Sequence, residues 1–297
     1  MEEEIVISVK GLSQRYGKGR IIYDNLSFDV PKGRILGLLG KNGTGKTTTI
    51  NILMGYLRPQ SGVCKIFGED ITKMSAATRE RIALLLEGHV QYAFMTIGQI
   101  ERFYSQFYKK WNRAAYYELM EKLKVTPDQK LSSMSCGQRS QVALGLILAQ
   151  NADLLVLDDF SLGLDPGYRR LFTDYLREYA KAENKTVFMT SHIIQNMERL
   201  VDDCIILDYG RILAQKPVKE LMDTFHRYAF TAADCSALES DSRLYSTSRI
   251  RENCETFSFE TGEAVRKILE EKAIEYKDLR QEKLSLEDIF IGLTGKY

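Results

Sequence analysis

The sequence predicts an α/β fold built on a largely parallel sheet, followed by a small α+β domain. Two observations support this fold. Apolar, strand-like segments alternate with helical patterns from about residue 34 to residue 213, as in layered α/β domains. After about residue 222 the pattern changes to short alternating strands and helices. We therefore expect one domain at residues 1–222 and a small C-terminal accessory domain at residues 223–297.

The elements can be assigned in order along the chain. Residues 4–30 contain IVISV and IIYDNLSFDV, which predict an N-terminal antiparallel β subdomain. Later strand candidates are RILGLL, CKIF, IALLL, DLLVLDD, TVFMTS and DCIILDYGRIL. A helical insert is expected at about 97–150. In the C-terminal domain RYAFTA, ETFSFE and IEYKDL predict strands, whereas EAVRKILEEK and LEDIFIGL predict helices.

The helical insert carries an aromatic stripe. Its members recur at helical spacing, namely Ile100, Phe103, Tyr104, Phe107, Tyr108 and Trp111. Aromatic residues in this pattern usually face a core. We therefore expect the stripe to be core, with its edge available to a partner.

The composition argues against several classes of function. The chain has 41 basic and 40 acidic residues, a net charge of +1, so we expect no nucleic-acid partner. No apolar run approaches the roughly 18 residues needed to cross a bilayer, and the acidic start differs from a secretory signal. The five cysteines lack CxxC spacing, which disfavours a disulfide framework or a zinc site. We expect a soluble, cytosolic chain.

A phosphate-binding loop follows the strand RILGLL. The residues GKNGTGKT fit G-x-x-x-x-G-K-[ST] between a strand and a helix, which predicts a P-loop NTPase core. Backbone N–H groups and the start of the helix would hold phosphate oxygens. Lys46 would neutralise the β- and γ-phosphates, and Thr47 would hold Mg²⁺. The expected nucleotide-binding residues here are Gly40, Lys41, Asn42, Gly43, Thr44, Gly45, Lys46, Thr47 and Thr48.

A second acidic site follows from DLLVLDD, an apolar strand that ends in two carboxylates. Buried carboxylates need a cation or a cleft, because leaving them unpaired is costly. Asp158 is expected to hold Mg²⁺ opposite Thr47, and Asp159 to orient or deprotonate the attacking water. The alternative is a strand that simply leaves the core for solvent.

Upstream of this strand, Ser135, Cys136, Gly137 and Gln138 precede an apolar helix and form a second helix start suited to an anion. Here the sequence resembles the ABC transporter ATPase family, whose signature is LSGGQ followed by a helix and the acidic strand. SLGLD, ending at Asp165, resembles the D-loop. His192 matches the switch histidine, and Tyr16 matches the aromatic residue on which adenine stacks. The resemblance covers about residues 4–222.

The resemblance implies an ATPase that uses ATP and Mg²⁺, with Asp159, His192, Glu87 and Lys46 as catalytic residues. It implies that residues 135–138 contact ATP held by a second ATPase subunit, in a homo- or heterodimer, and that Asp165 also lies at the nucleotide site. It also implies a separate membrane permease, gripped near Glu87 and residues 97–135. The chain would then be cytoplasmic and peripheral on the cytoplasmic face of the membrane.

Two short segments favour a particular branch of this family. The C-terminal SLEDIF resembles bacterial drug-, peptide- and lantibiotic-export subunits, and FYKKW with a glutamate at the Q-loop position looks similar to peptide exporters. The expected substrate is a drug-like compound or an antimicrobial, amphipathic peptide. An importer ATPase, a soluble ABC ATPase acting on ribosomes or DNA, and a small-molecule P-loop kinase are the alternatives.

Three residues depart from the family pattern. Asp159 stands where glutamate is usual, and small misplacements can lower rates by about 10²-fold. Glu87 stands at the Q-loop glutamine position; its carboxylate can reach Mg²⁺ but cannot donate as an amide does. Cys136 replaces a glycine of the signature. These changes fit drift within a branch, a slow subunit, or a subunit that pairs with a different ATPase so that the two composite sites differ.

Overall fold

The computed structural model describes residues 3–17, 21–86, 92–160, 164–195 and 197–295. Its strands are β1 (Ile5–Arg15), β2 (Ile21–Pro31), β3 (Ile35–Gly40), β4 (Ser61–Ile66), β5 (Glu69–Asp70), β6 (Ile82–Leu85), β7 (Leu154–Leu157), β8 (Thr186–Ser191), β9 (Asp203–Asp208), β10 (Arg211–Pro217), β11 (His226–Ala232), β12 (Tyr245–Ile250), β13 (Asn253–Ser258) and β14 (Tyr276–Glu282). Its helices are α1 (Lys46–Leu53), α2 (Ala76–Arg79), α3 (Ile97–Ser105), α4 (Arg113–Lys122), α5 (Cys136–Ala149), α6 (Pro166–Ala182), α7 (Met197–Leu200), α8 (Val218–Thr224), α9 (Gly262–Glu271) and α10 (Leu286–Thr294).

The central sheet positions the site. Its order is β10-β9-β3-β8-β7-β6, and every pair is parallel except the antiparallel edge strand β10. All residues of β3, β7 and β8 are buried, which fits the continuous apolar sequences of β3 and β7, whereas β8 also contains Thr186, Thr190 and Ser191. Because the carboxyl ends of parallel strands meet at one edge, the residues that follow these three strands come together there.

The N-terminal sheet is antiparallel, with the order β2-β1-β4-β5, as the sequence predicted for its first two strands. Buried and exposed residues largely alternate along β2, because one face covers an apolar core and the other faces solvent. This core includes Phe28, which stacks on Phe188 of the central sheet with ring centroids 5.8 Å apart. The contact joins the two sheets.

The helical insert is present, but the core prediction for the aromatic stripe is wrong in part. Helix α3 ends at Ser105, so the stripe does not continue along one helix. Only its first member, Ile100, is fully buried. Exposed rings instead form what we call the aromatic patch: Tyr92, Phe94, Phe103 and Phe107, exposed by 44%, 73%, 37% and 66%. The rings pack edge-on against one another, with Phe103 and Phe107 5.2 Å apart, while Trp111 packs on the core.

The C-terminal residues form a third sheet, with the order β12-β13-β11-β14, and all its strand pairs are antiparallel. One hydrophobic cluster lies within this region around Tyr228 and Leu269. Helix α10, by contrast, packs into the main core through Leu286, Ile289 and Phe290. The domain boundary at residues 222 and 223 stays a prediction, with the third sheet beginning at His226.

Candidate nucleotide site

The phosphate loop leaves β3 at Gly40 and enters α1 at Lys46, as the sequence predicted. Gly43 and Gly45 have φ angles of 78° and 104°, which residues with a side chain rarely adopt. A Cβ at Gly45 would also lie 2.5 Å from Ile22 Cγ2, and one at Gly40 would lie 2.5 Å from Thr44 Oγ1. The loop therefore requires glycine for conformation at Gly43, for space at Gly40, and for both reasons at Gly45.

Lys46 is 5% exposed and bends back over the loop. Its Nζ donates to the carbonyl oxygens of Gly40 at 2.8 Å and Lys41 at 3.1 Å. The side chain of Thr44 also donates to the Lys41 carbonyl, at 2.9 Å. The ammonium group thus lies inside the turn that the sequence assigned to phosphate, where an anion can replace the carbonyl oxygens as its partner.

Two carboxylates follow β7, and the first of them, Asp158, contacts the start of α1. Thr47 Oγ1 donates to Asp158 Oδ1 at 3.3 Å, so the residues expected to hold Mg²⁺ are in contact. Asp158 is only 1% exposed, and burial raises its pKa, while hydrogen bonds from Thr190 and Thr47 and the charge of Lys46 oppose the rise. The alternative, a strand that simply leaves the core for solvent, is wrong, because both carboxylates are buried.

Asp159 pairs with the histidine after β8. Its Oδ2 lies 2.7 Å from His192 Nδ1, and its Oδ1 accepts the His192 backbone N–H at 3.4 Å. Asp159 has a φ of 43°, a left-handed conformation that aspartate and asparagine adopt more readily than most residues. The side chain is thereby turned from the end of β7 toward the end of β8.

Tyr16 lies beside the same helix start. Its ring is half exposed, and its hydroxyl is 3.3 Å from Thr48 Oγ1. An exposed ring held next to a phosphate-binding helix can stack on a base. The geometry is compatible with the adenine contact that the resemblance implied for Tyr16.

The signature residues begin α5. Ser135 caps the helix by accepting the Gln138 N–H at 3.2 Å, and the Gln138 side chain accepts the Ser135 N–H at 3.0 Å. A Cβ at Gly137 would lie 2.4 Å from the Tyr168 ring, so only glycine fits there. Cys136 is exposed at this helix start. That these residues contact a nucleotide in a second subunit remains a prediction.

Two other expected site residues have a different status. Asp165 caps α6 by accepting the Tyr168 N–H at 3.0 Å, which gives it a structural role beside any contact with nucleotide. Glu87 lies outside the described residues, as do Ser161, Leu162 and Gly163 of the D-loop segment. Their roles stay predictions.

Two contacts of the site were not predicted from the sequence. Thr190 bonds both acidic residues through one hydroxyl. Lys41 Nζ donates to the carbonyl oxygens of Thr294 and Gly295, both at 3.1 Å, so the end of α10 touches the phosphate loop. A cavity of about 360 Å³ lies between α10 and the loop after β8. Thr190, one of three hydroxyl residues in the buried segment TVFMTS, was a signal for the first contact; no local signal existed for the second.

The donors present suit a magnesium ion. The Thr47 hydroxyl and the Asp158 carboxylate are oxygen ligands of the kind that Mg²⁺ prefers. In proteins Mg²⁺ is usually bound by one or two protein ligands, with phosphates and water as its other ligands. Within the described ranges, no three His, Cys, Asp or Glu side chains gather to hold a metal by themselves. The two oxygens therefore fit an ion that arrives with a nucleotide.

Comparisons with known proteins give a consistent result. A family model described as ABC transporter matches residues 23–161. The chain is 32% identical over 222 residues to the Nod factor export ATP-binding protein I of Ralstonia nicotianae, covering 73% of this chain and 68% of that protein. It is 31% identical over 225 residues to the bacitracin transport ATP-binding protein BcrA of Bacillus licheniformis, covering 75% and 73%. A solved ATP-binding subunit of an ABC transporter matches with a TM-score of 0.63 and 25% identity, covering 73% of this chain and 92% of that one.

Proposed function

The chain belongs to the ATP-binding subunits of ABC transporters, and we propose that it powers export through a separate membrane permease. As a member of this family it binds ATP and couples its hydrolysis to transport. Membership of this family excludes the alternative function of a small-molecule P-loop kinase. The relatives named for Nod factor export and bacitracin transport support export over import. The proposed substrate is a drug-like compound or an antimicrobial, amphipathic peptide.

The observation that carries the catalytic assignment is the convergence of the phosphate loop with Asp158, Asp159 and His192. Lys46 would exchange its two carbonyl partners for the β- and γ-phosphate oxygens of ATP. Asp159 would accept a proton from, or orient, the water that attacks the γ-phosphate. His192, fixed by Asp159 through Nδ1, would turn its other ring nitrogen to the γ-phosphate.

Magnesium has a defined place in this proposal. When bound, Mg²⁺ would neutralise negative charge on the phosphate groups. Thr47 and Asp158 would hold the ion, and Glu87 stays a proposed further ligand. Lys46 and the backbone N–H groups of the loop would bind and orient the phosphates.

The composite site requires a second ATPase subunit. The capped start of α5 presents backbone N–H groups and a partial positive charge that suit a phosphate group. We propose that residues 135–138 of each subunit meet the ATP bound by the other, with Asp165 nearby. Homodimer and heterodimer are both compatible with this arrangement.

The aromatic patch is the surface we propose for the permease. Its exposed rings lie on the helical insert and on the segment just before it, and desolvated aromatic rings are typical anchors of protein interfaces. None of the helices in the described residues is both long and apolar enough to cross a bilayer. We propose that the permease holds the chain on the cytoplasmic face of the membrane, without a nucleic-acid partner.

Two variants test the catalytic assignment. Lys46→Ala should abolish ATP binding or hydrolysis, and Asp158→Asn should lose Mg²⁺-dependent turnover. Lys65→Ala removes an exposed lysine of β4 and should behave as the parent protein. Normal turnover in either site variant would contradict the assignment.

The transport assignment needs a different experiment. The chain should co-purify from membranes with a permease, and that permease should stimulate its ATPase activity. Isolation with a substrate-binding protein would favour an importer. ATPase activity stimulated by ribosomes or DNA, with no membrane partner, would contradict the transport assignment.

A further inference from the structure

Thr190 links the two carboxylates of the site through one buried hydroxyl. It lies near the end of β8, next to β7, in a register that pairs Leu157 with Met189 and so sets Thr190 level with Asp158. The side chain is fully buried. Its hydroxyl donates to Asp158 Oδ1 at 2.7 Å and accepts the Asp159 N–H at 3.1 Å.

This hydroxyl closes a continuous chain of contacts across the site. On one side, Thr47 at the start of α1 donates to the same Asp158 oxygen at 3.3 Å. On the other side, Asp159 lies 2.7 Å from His192 Nδ1. The chain therefore runs from the phosphate-loop helix to the histidine after β8, and Thr190 is the residue that joins its two halves.

We propose that Thr190 is a positioning residue for ATP hydrolysis, which makes the orientation of the Asp159–His192 pair depend on the position of Asp158. This inference rests on the function proposed above for the two carboxylates. Thr190 itself does not touch substrate; it acts through Asp158 and through the backbone of Asp159.

The chemistry of threonine explains why this position needs it. A hydroxyl has one proton and two lone pairs, so it can donate to a carboxylate and accept from an N–H at the same time. Valine has the same shape but neither capacity, and it would leave the buried Asp159 N–H without this partner. Asp159 has a left-handed backbone with a φ of 43°, so losing a bond that fixes its N–H allows the carboxylate to shift.

Three variants of the full-length chain test the proposal. Thr190→Val should lower kcat for Mg·ATP by about tenfold or more, since small displacements of reacting groups have large effects on rate. ATP binding without Mg²⁺ should change by less than about twofold, because the phosphate loop is untouched. Thr190→Ser keeps the hydroxyl and should recover kcat to within about threefold.

Thr186→Val is the matched control. Thr186 is a buried threonine of the same strand whose hydroxyl accepts the Gly33 N–H at 3.0 Å, at the opposite end of β8. The Thr186→Val variant loses a comparable hydrogen bond, and this position contacts neither carboxylate. An equal fall in kcat for Thr186→Val and Thr190→Val would overturn the proposal.

A second readout needs neither metal nor nucleotide. The chain contains three histidines, so nitrogen NMR of the imidazoles can be assigned with a His192→Gln variant. In the nucleotide-free protein Thr190→Val should shift the His192 Nδ1 resonance, whereas Thr186→Val should leave it unchanged. If Thr190→Val does not fold, Thr190→Ala takes its place in both measurements.

The outcomes separate this inference from the proposed function. An unchanged His192 resonance, or a parental kcat in Thr190→Val, would overturn the positioning role. Full hydrolysis in both Asp158→Asn and Asp159→Asn would instead refute the function proposed for the carboxylates. The NMR result would still decide whether Thr190 holds the pair.

Discussion

The replacement Asp159→Asn isolates the charge of the residue proposed to position water. Asparagine has the same size and also adopts left-handed backbone conformations readily, so the φ of 43° at this position is retained. Its amide oxygen can still accept from His192 Nδ1 at the observed 2.7 Å. What is lost is the capacity to accept a proton from water, together with the long 3.4 Å bond that the second carboxylate oxygen accepts from the His192 backbone N–H.

The expected effect on the rate follows from the loss of the base. General-base catalysis contributes about 10²–10⁴-fold to a rate, so kcat for ATP hydrolysis should fall by that range in Asp159→Asn. ATP binding should be unchanged, because Lys46 and the loop remain intact. Phosphate release from the full-length chain, measured beside equilibrium nucleotide binding, reports both quantities.

Asp153→Asn provides the comparison. Asp153 directly precedes β7, at the end of the strand away from Asp159, and it pairs with Arg81 at 2.7 Å on a partly exposed surface. Exposed ion pairs of this kind contribute about 0–1 kcal/mol to stability. The kcat of Asp153→Asn should therefore match that of the parent protein. Turnover by Asp159→Asn within about threefold of the parent would refute the base assignment, since that change is far below the range for general-base catalysis.

Three further replacements test other parts of the structure. Gly45→Ala should abolish ATP binding, measured by equilibrium titration, because its φ of 104° and the 2.5 Å approach to Ile22 exclude a Cβ. Phe290→Ala should lower the free energy of unfolding by about 3–5 kcal/mol in urea, because the buried ring joins α10 to the main core, whereas the partly exposed Ile291→Ala should lower it less. For Asp202, burial acts to raise the pKa, but hydrogen bonds from Lys181 and Ile35 N–H and nearby positive charges lower it overall. Its folded pKa thus lies below its unfolded value, so its ionised form stabilises the protein above about pH 4 and this stabilisation is lost as the pH falls. The difference in unfolding free energy between the parent and Asp202→Asn should accordingly be larger at neutral pH than in acid; a difference independent of pH would contradict it.

The features whose geometry agrees with the sequence prediction are those with a local cause. The phosphate loop could be identified because glycine is required at fixed positions between an apolar strand and a helix. Asp158 and Asp159 could be identified because two carboxylates at the end of a wholly apolar strand need a cation or a partner. The order of strands and helices gave the α/β class.

The features that sequence missed depend on packing. The aromatic stripe was expected in the core, but α3 ends at Ser105 and Phe107 is 66% exposed. The spacing of apolar residues indicates which of them share one face of a helix. It does not indicate whether another element of the fold covers that face. The strand β12 was also missed, because it is half exposed and has no clear apolar alternation.

The sequence by itself determined the chemistry available to this protein: a glycine loop for phosphate, a lysine and a threonine at a helix start, and paired carboxylates after a buried strand. Only the tertiary structure decided which of these groups share hydrogen bonds. Residue 47, residue 158 and the segment 190–192 lie far apart in the chain, and the register of parallel strands brings them to one edge of the sheet. The docking of α10 against Lys41 has the same origin, since 253 positions separate Lys41 from Thr294 and packing of the C-terminal helix sets their contact.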